Sequence, residues 1–299
     1  MDNVVRKLAL GTVNFGMDYG IANKAGQVDG AEVSKILRAA QHAGIKTLDT
    51  AVAYGSSEKI LGRAGVEGFQ VVTKIPRVIG TGTTFAKRVE DQIKQSIALL
   101  GGHKLYAVML HAPDQLSEAD GPALMQALVH IRELGLVEKI GISIYHTNSL
   151  DVLWGWFEPD IVQAPFNIFD QRLLTTGWAS LLDEAGTEIH LRSTFLQGLL
   201  LMPRSLVPKQ FSPWAELFEH WFDWQISCRA SALELAIQFN LSQPWADKIV
   251  VGVETAQQLK ELIAAAQGEL PEIPRQLRHG VTDEGLINPS KWTELCQPQ

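Results

Sequence analysis

Sulfur chemistry is almost absent from this chain. Its 299 residues include two cysteines, Cys228 and Cys296, far apart and without a C-x-x-C spacing. That excludes a disulfide framework and fits free thiols in a reducing cytoplasm. Basic clusters are missing as well: 26 Lys and Arg stand against 33 acids, for a formal net charge of -7. Generic attraction to nucleic acid or to an anionic membrane is therefore not expected. No apolar run reaches the roughly 18 residues of a membrane span, and the N-terminus lacks a signal-peptide pattern, so a soluble cytoplasmic protein is expected. The eight histidines form no His-x-His or His-x-x-x-His pair, which removes the ligand sets of a metal-dependent barrel hydrolase. Gly11 and Gly16 do not make the Gly-x-Gly-x-x-Gly of an open dinucleotide-binding sheet.

What remains is a chain rich in core-forming residues, 46% apolar and 20% charged, with no disordered character. Short β-forming runs at 8–13, 47–51, 70–75, 105–110, 139–144, 161–166, 188–194 and 248–253 alternate with amphipathic stretches at 32–43, 85–100, 122–134, 176–185 and 231–240. Val89, Ile93, Ile97 and Leu100 recur at helical spacing, and Gly44, Gly101, Gly135 and Gly186 sit where helices should stop. Eight strand–helix units without a composition break predict an α/β fold, one closed (β/α)8 TIM barrel spanning 1–299 as a single domain. Residues 17–27 form a loop after the first strand. Residues 203–225, rich in Pro and Trp, are a candidate lid or binding loop, and the tail 271–299 is expected to cover the barrel. Trp214, Trp221 and Trp224 read as one face of a helix packed on the barrel, with a sugar or aromatic pocket as the alternative.

Three segments place polar residues at the carboxyl ends of successive strands, where parallel α/β folds present their chemistry. They are Leu-Asp-Thr-Ala-Val-Ala-Tyr-Gly-Ser-Ser-Glu-Lys-Ile-Leu-Gly from Leu48 to Gly62, Val-Val-Thr-Lys-Ile-Pro from Val71 to Pro76, and Val-Met-Leu-His-Ala-Pro-Asp from Val108 to Asp114. Taken singly, a buried Asp–Lys pair, a packed tyrosine or a satisfied histidine is ordinary. Together, Asp49, Tyr54, Lys74 and His111 suit carbonyl reduction. Tyrosine can donate a proton if its pKa, about 10 when free, moves toward neutrality. A lysine about 4 Å away contributes roughly 4 kcal/mol at an effective dielectric of about 20, on the order of three pKa units. Asp49 would hold Lys74 charged and return part of that shift. His111 would add a neutral donor to the carbonyl oxygen, worth about 3 kcal/mol. No side chain gives hydride, so a nicotinamide cofactor would have to supply it.

These segments resemble the aldo-keto reductase superfamily. Its pattern Asp-Thr-Ala-x-x-Tyr-Gly-x-Ser-Glu-x-x-Leu-Gly is met by Asp49, Thr50, Ala51, Tyr54, Gly55, Ser57, Glu58, Leu61 and Gly62, followed by Lys74 and His111 at the next two strand ends. The resemblance runs from Leu8 to about Ala266. It implies a barrel binding NADP or NAD across its carboxyl-end face, with Tyr54 as general acid, Lys74 and Asp49 tuning it and His111 orienting a small-molecule carbonyl substrate. The opening run, Leu10 to Ile21, resembles a bacterial branch and brings Gly11, Thr12 and Val13 toward the cofactor.

Other implied cofactor contacts depart from the family's usual residues. Ser143 is followed by Ile144 where family members carry Asn, while Gln163 matches the other amide partner. After strand seven the family often has Tyr and then Ser-Pro-Leu. Here the run is Arg192-Ser193-Thr194-Phe195-Leu196-Gln197-Gly198. Ser193, Phe195, Gln197 and Gly198 are expected to cradle the pyrophosphate. Arg192 is expected to contact the cofactor or a carboxylate or phosphate on the substrate, with a structural pairing to an acid such as Glu188 as the plainer alternative. The family's NADPH clamp after strand eight is replaced by Gly252, Val253 and Gln258, with Glu254 and Glu261 nearby. Two charge-assisted contacts of roughly 1.5–3 kcal/mol each are thereby lost, and the glutamates could instead accept from a free ribose hydroxyl. A carbonyl reductase is the leading expectation. A cofactor-binding sensor or regulatory subunit on the same barrel is the alternative.

Overall fold

A computed structural model describes residues 2–82 and 84–292. Eight parallel strands close into a barrel in chain order, β8 returning to pair with β1. They are β1 Leu8–Gly11, β2 Thr47–Asp49, β3 Gln70–Ile75, β4 Leu105–Leu110, β5 Val137–Ser143, β6 Ile161–Pro165, β7 Glu188–Arg192 and β8 Lys248–Gly252. The longer helices outside the barrel are α1 Gly30–Ala43, α2 Ser57–Ala64, α3 Thr84–Leu99, α4 Gly121–Glu133, α5 Asn148–Leu153, α6 Trp178–Glu184, α7 Ala215–Cys228, α8 Ala232–Leu241 and α9 Ala256–Ala265. The expected (β/α)8 architecture is the one observed.

Local chemistry explains the helix limits. Asp29 caps α1 by accepting from the backbone N–H of Ala31 and Glu32, and α1 stops where Gly44 takes φ 91°. Val33, Ile36, Leu37 and Ala40 recur on its buried face. Ser231 and Glu234 form a reciprocal capping box that starts α8. Along the strands, alternate residues divide between two cores. The outward set, with Leu10, Leu48, Val71, Val108 and Ile142, packs under the helices. Val72, Ala107, Met109 and Ile161 form a smaller cluster of their own, in step along their strands with the inward-facing Lys74 and Gln163.

Segment 203–225 differs from a lid. It runs through short turns at Arg204–Leu206 and Lys209–Trp214 and becomes α7 from Ala215. Trp221 and Trp224 are fully buried, and the Trp221 indole donates to the Leu200 carbonyl at 3.1 Å. Their apolar bulk is core material rather than pocket lining. Residues 271–292 lie against this helix region: the Trp292 ring meets Phe211 at 5.0 Å, and the Trp214 indole donates to Asp283 at 3.1 Å. The rest of the tail, 293–299, lies outside the described residues, as does Cys296. Cys228 is unpaired and partly exposed. No helix among the described residues is long and apolar enough to cross a membrane.

At the amino end of the barrel, the Glu188 carboxylate accepts from Lys139 at 2.6 Å and from the Tyr106 hydroxyl at 2.7 Å. The His190 ring nitrogen Nε2 lies 2.8 Å from its other oxygen. Burial alone would raise Glu188, but these three partners outweigh it and hold the carboxyl down to about 2. A carboxyl lowered in the folded state stabilises above its unfolded value of about 4.3 and loses that contribution as pH falls toward 2. Glu188→Gln is therefore expected to cost on the order of 3 kcal/mol at pH 7 and to flatten the acid limb below about pH 4.3. Urea denaturation of both proteins between pH 7 and pH 3 checks this. Equal acid sensitivity would contradict it.

Candidate functional site

Asp49 ends β2, Lys74 is the penultimate residue of β3, and His111 follows β4 directly. Three neighbouring strands thus deliver three polar side chains to the carboxyl mouth. The Lys74 ammonium, fully buried, donates to Asp49 Oδ1 at 2.6 Å, to the Thr50 carbonyl at 3.1 Å and to the Tyr54 hydroxyl at 3.3 Å. The Tyr54 and His111 rings meet edge to face at 6.1 Å. The four expected catalytic residues form one cluster.

Their electrostatics follow from burial and charge. Burial alone would lower Lys74, yet Asp49 and Tyr54 outweigh it and keep the ammonium charged. Burial and the Lys74 and Arg192 charges push His111 down to about 4, so the imidazole is neutral at physiological pH. The expectation for Tyr54 needs correcting. Lys74 lies closer than the 4 Å assumed, but burial prevails and the phenol stands above its ordinary value, with Asp49 offsetting part of the lysine's pull. Tyr54 consequently keeps its proton at neutral pH.

The long motif between Leu48 and Gly62 owes much of its length to holding this cluster in place. The Thr12 hydroxyl donates to the Asp49 carbonyl at 2.9 Å, and the Ser57 hydroxyl lies 2.9 Å from Thr12 Oγ1 and 3.0 Å from Thr50 Oγ1. Glu58, buried, accepts from Thr73 at 2.7 Å and Ser96 at 3.2 Å. At Gly62 a Cβ would stand 2.0 Å from the Leu99 carbonyl oxygen, so only glycine lets α2 approach the end of α3 this closely. At Gly16 a Cβ would stand 1.7 Å from the Tyr54 carbonyl oxygen. Gly16→Ala must displace the Tyr54 loop, and a shift of about 1 Å costs roughly hundredfold in turnover. Steady-state kinetics on the variant, with circular dichroism to confirm the fold, tests this; unchanged kcat would contradict it.

The expected cofactor residues are only partly gathered. Gln163, fully buried on β6, donates to Asp49 Oδ2 at 2.7 Å and accepts from Ser143 at 3.1 Å. Both therefore brace the Asp49 carboxylate, Ser143 through Gln163. Gly11 ends β1 in register with Asp49 on one side and with Gly252, at the end of β8, on the other. Val13 begins the single turn Val13–Gly16. Ser193, Leu196 and Gln197 all adopt left-handed backbone, with φ of 63°, 48° and 54°, in one loop after β7. Gln197 reaches back to the Tyr19 hydroxyl at 3.1 Å, Gly198 packs on Ala22, and Phe195 is half-buried. Glu254 and Gln258 stand at the start of α9, where Gln258 accepts from the Glu254 backbone N–H at 2.7 Å. Glu261 is exposed one turn along and accepts from the Gln257 amide. Arg192 does not pair with Glu188, whose carboxylate is taken up at the opposite end of the barrel. Its guanidinium donates to the Ile144 carbonyl at 2.9 Å and to Ser193 Oγ at 3.2 Å, and stacks on Tyr145 at 4.3 Å.

Tyr19 and Tyr145 were not singled out by sequence reasoning. The available signal was scarcity: the chain has four tyrosines, and Tyr19, Tyr54 and Tyr145 all sit within electrostatic or stacking reach of Arg192.

A closed barrel with a buried Asp–Lys pair beside a protonated tyrosine at its carboxyl mouth belongs to the class of TIM-barrel enzymes. More narrowly, the model of the aldo/keto reductase family matches residues 7–273, and the chain belongs to that family. It is thereby an oxidoreductase of a family that uses NAD(P)H on small carbonyl compounds. Similar solved structures include the aldo-keto reductase AKR11C1 from Bacillus halodurans in its holo form, with 18% identity, 93% of this chain and 94% of that chain covered, and a TM-score of 0.74. Its apo form gives 18% identity, the same coverage and a TM-score of 0.70. PA4992 from Pseudomonas aeruginosa, named as a candidate aldo-keto reductase, gives 20% identity, coverage of 87% and 89%, and a TM-score of 0.64. At these identities the likeness is one of fold. No curated protein matches the sequence.

Proposed function

We propose that this protein is a cytoplasmic reductase that converts an aldehyde or ketone, sugar-like carbonyls included, to the alcohol, or runs the reverse oxidation, with Tyr54 as proton donor. The observation that carries this is the Lys74 ammonium, 2.6 Å from Asp49 and 3.3 Å from the Tyr54 hydroxyl. When bound, a nicotinamide supplies the hydride. Tyr54 and the neutral His111 donate hydrogen bonds to the carbonyl oxygen, and the Tyr54 proton passes to that oxygen as negative charge develops. Lys74 stabilises the phenolate left behind, while Asp49 fixes the ammonium and Gln163 fixes Asp49.

The residues present suit a dinucleotide. Ser143 and Gln163 offer polar groups for the nicotinamide end. The loop after β7, left-handed at Ser193, Leu196 and Gln197, has the backbone geometry of an anion-binding concavity for the diphosphate. At the adenosine end, Gly252, Glu254 and Gln258 supply no cation for a 2′-phosphate. Separate fluorescence titrations are expected to give NADPH an affinity no higher than that of NADH. NADPH binding at least tenfold more tightly would mean that another cation reads the phosphate.

Activity is tested by following NADH or NADPH oxidation against a panel of aldehydes and ketones. Turnover that depends on Tyr54 supports the reductase. Tight cofactor binding with only trace, Tyr54-independent turnover would instead indicate the sensor.

A further inference from the structure

We infer that Arg192 recognises an anionic group, a carboxylate or a phosphate, on the carbonyl substrate itself. This rests on the proposed reductase reading and names a substrate class for it. Among the described residues no carboxylate forms an ion pair with Arg192, although its side chain is half-buried. The bonds it makes are to neutral oxygens, the Ile144 carbonyl and Ser193 Oγ. Asp49 and Lys74 neutralise each other at 2.6 Å, and Tyr54 and His111 are uncharged at neutral pH. Among the described residues Arg192 thus stands at the mouth without an ion-pair partner, close enough to act on Tyr54, Tyr19 and His111 together.

A partly desolvated guanidinium without a counter-ion is costly unless a partner arrives. The geometry holds it ready for one. Stacking on Tyr145 at 4.3 Å fixes the guanidinium plane, and two neutral acceptors occupy only part of its five N–H donors. A planar fork held this way suits two-point contact with a carboxylate or phosphate. Its place, at the end of β7 and beside the tetrad rather than at the adenosine end, assigns it to the reacting molecule.

Matched pairs test this directly: 4-carboxybenzaldehyde against methyl 4-formylbenzoate, and glyceraldehyde 3-phosphate against glyceraldehyde. In wild type the charged member of at least one pair is expected to have a kcat/KM about ten- to hundredfold higher. The pair that shows it tells carboxylate from phosphate. In Arg192→Met that ratio should collapse toward one, and Arg192→Lys should restore part of it. NADH affinity, titrated on the same variants, should not fall in parallel. A ratio unchanged in Arg192→Met, or a loss explained by weakened NADH binding, would overturn the inference. Should wild type bind cofactor yet reduce no carbonyl, the reductase reading fails on its own. Calorimetry of benzoate and of inorganic phosphate against the cofactor-saturated protein then decides the Arg192 assignment. Binding of either that is lost in Arg192→Met supports it, and no Arg192-dependent binding overturns it.

Discussion

Tyr54→Phe is expected to lower kcat by about 10²–10⁴-fold while leaving NAD(P)H affinity within about threefold, since one hydroxyl is removed and the ring keeps its packing. The hydroxyl is the group 3.3 Å from Lys74, and the ring that remains still meets His111 at 6.1 Å and lies under the ammonium at 5.0 Å. His111 cannot take over the proton transfer. With its pKa pushed down to about 4, it carries no proton to spare at neutral pH. The kcat–pH profile of wild type should accordingly show no limb near the usual histidine value of about 6.5. Because the phenol is raised, any alkaline limb should fall above about pH 10. Parallel measurement of kcat and of fluorescence quenching by NADH separates a lost proton donor from a lost binding site.

Asp49→Asn is expected to destabilise the protein by about 3–5 kcal/mol, because it strands the buried Lys74 ammonium without its counter-ion. Lys74→Met should act similarly by leaving the Asp49 carboxylate with Gln163 as its remaining side-chain donor. The double variant Asp49→Asn, Lys74→Met removes both charges and should recover much of the lost stability, yet recover none of the turnover. That divergence distinguishes a pair kept for chemistry from one kept for folding. Urea denaturation of the four proteins gives the coupling energy. A double variant as unstable as the sum of its parents would contradict a buried, mutually dependent pair.

The barrel was legible because each strand announces itself locally, by an apolar run ending in polar or turn residues. The tetrad was legible because its members occupy successive strand ends. Contacts between distant strands were not. A pairing of Arg192 with Glu188 was the plainer alternative for Arg192, and both lie on β7. At about 3.3 Å of rise per residue, four residues separate them by roughly 13 Å. Glu188 therefore serves Lys139, Tyr106 and His190 at one end while Arg192 serves the other. The lowered Tyr54 pKa failed for a related reason. A pairwise Coulomb estimate omits the desolvation that dominates in a closed barrel. Segment 203–225 read as a lid or binding loop from its length, Pro and Trp, while the spacing of its tryptophans already pointed to a packed helix, and Trp221 and Trp224 are buried in one. Tyr19 and Tyr145 reach the mouth from loops, where no period marks them.

Hydride transfer to a carbonyl carbon is the central claim, and isotope transfer reads it directly. The protein is incubated with nicotinamide cofactor deuterated at both C4 positions and with the best carbonyl of the panel, and the alcohol is examined by mass spectrometry. One deuterium on the former carbonyl carbon, formed at a rate that collapses in Tyr54→Phe, is the predicted result. An alcohol without deuterium, or cofactor bound with no alcohol formed, would contradict it.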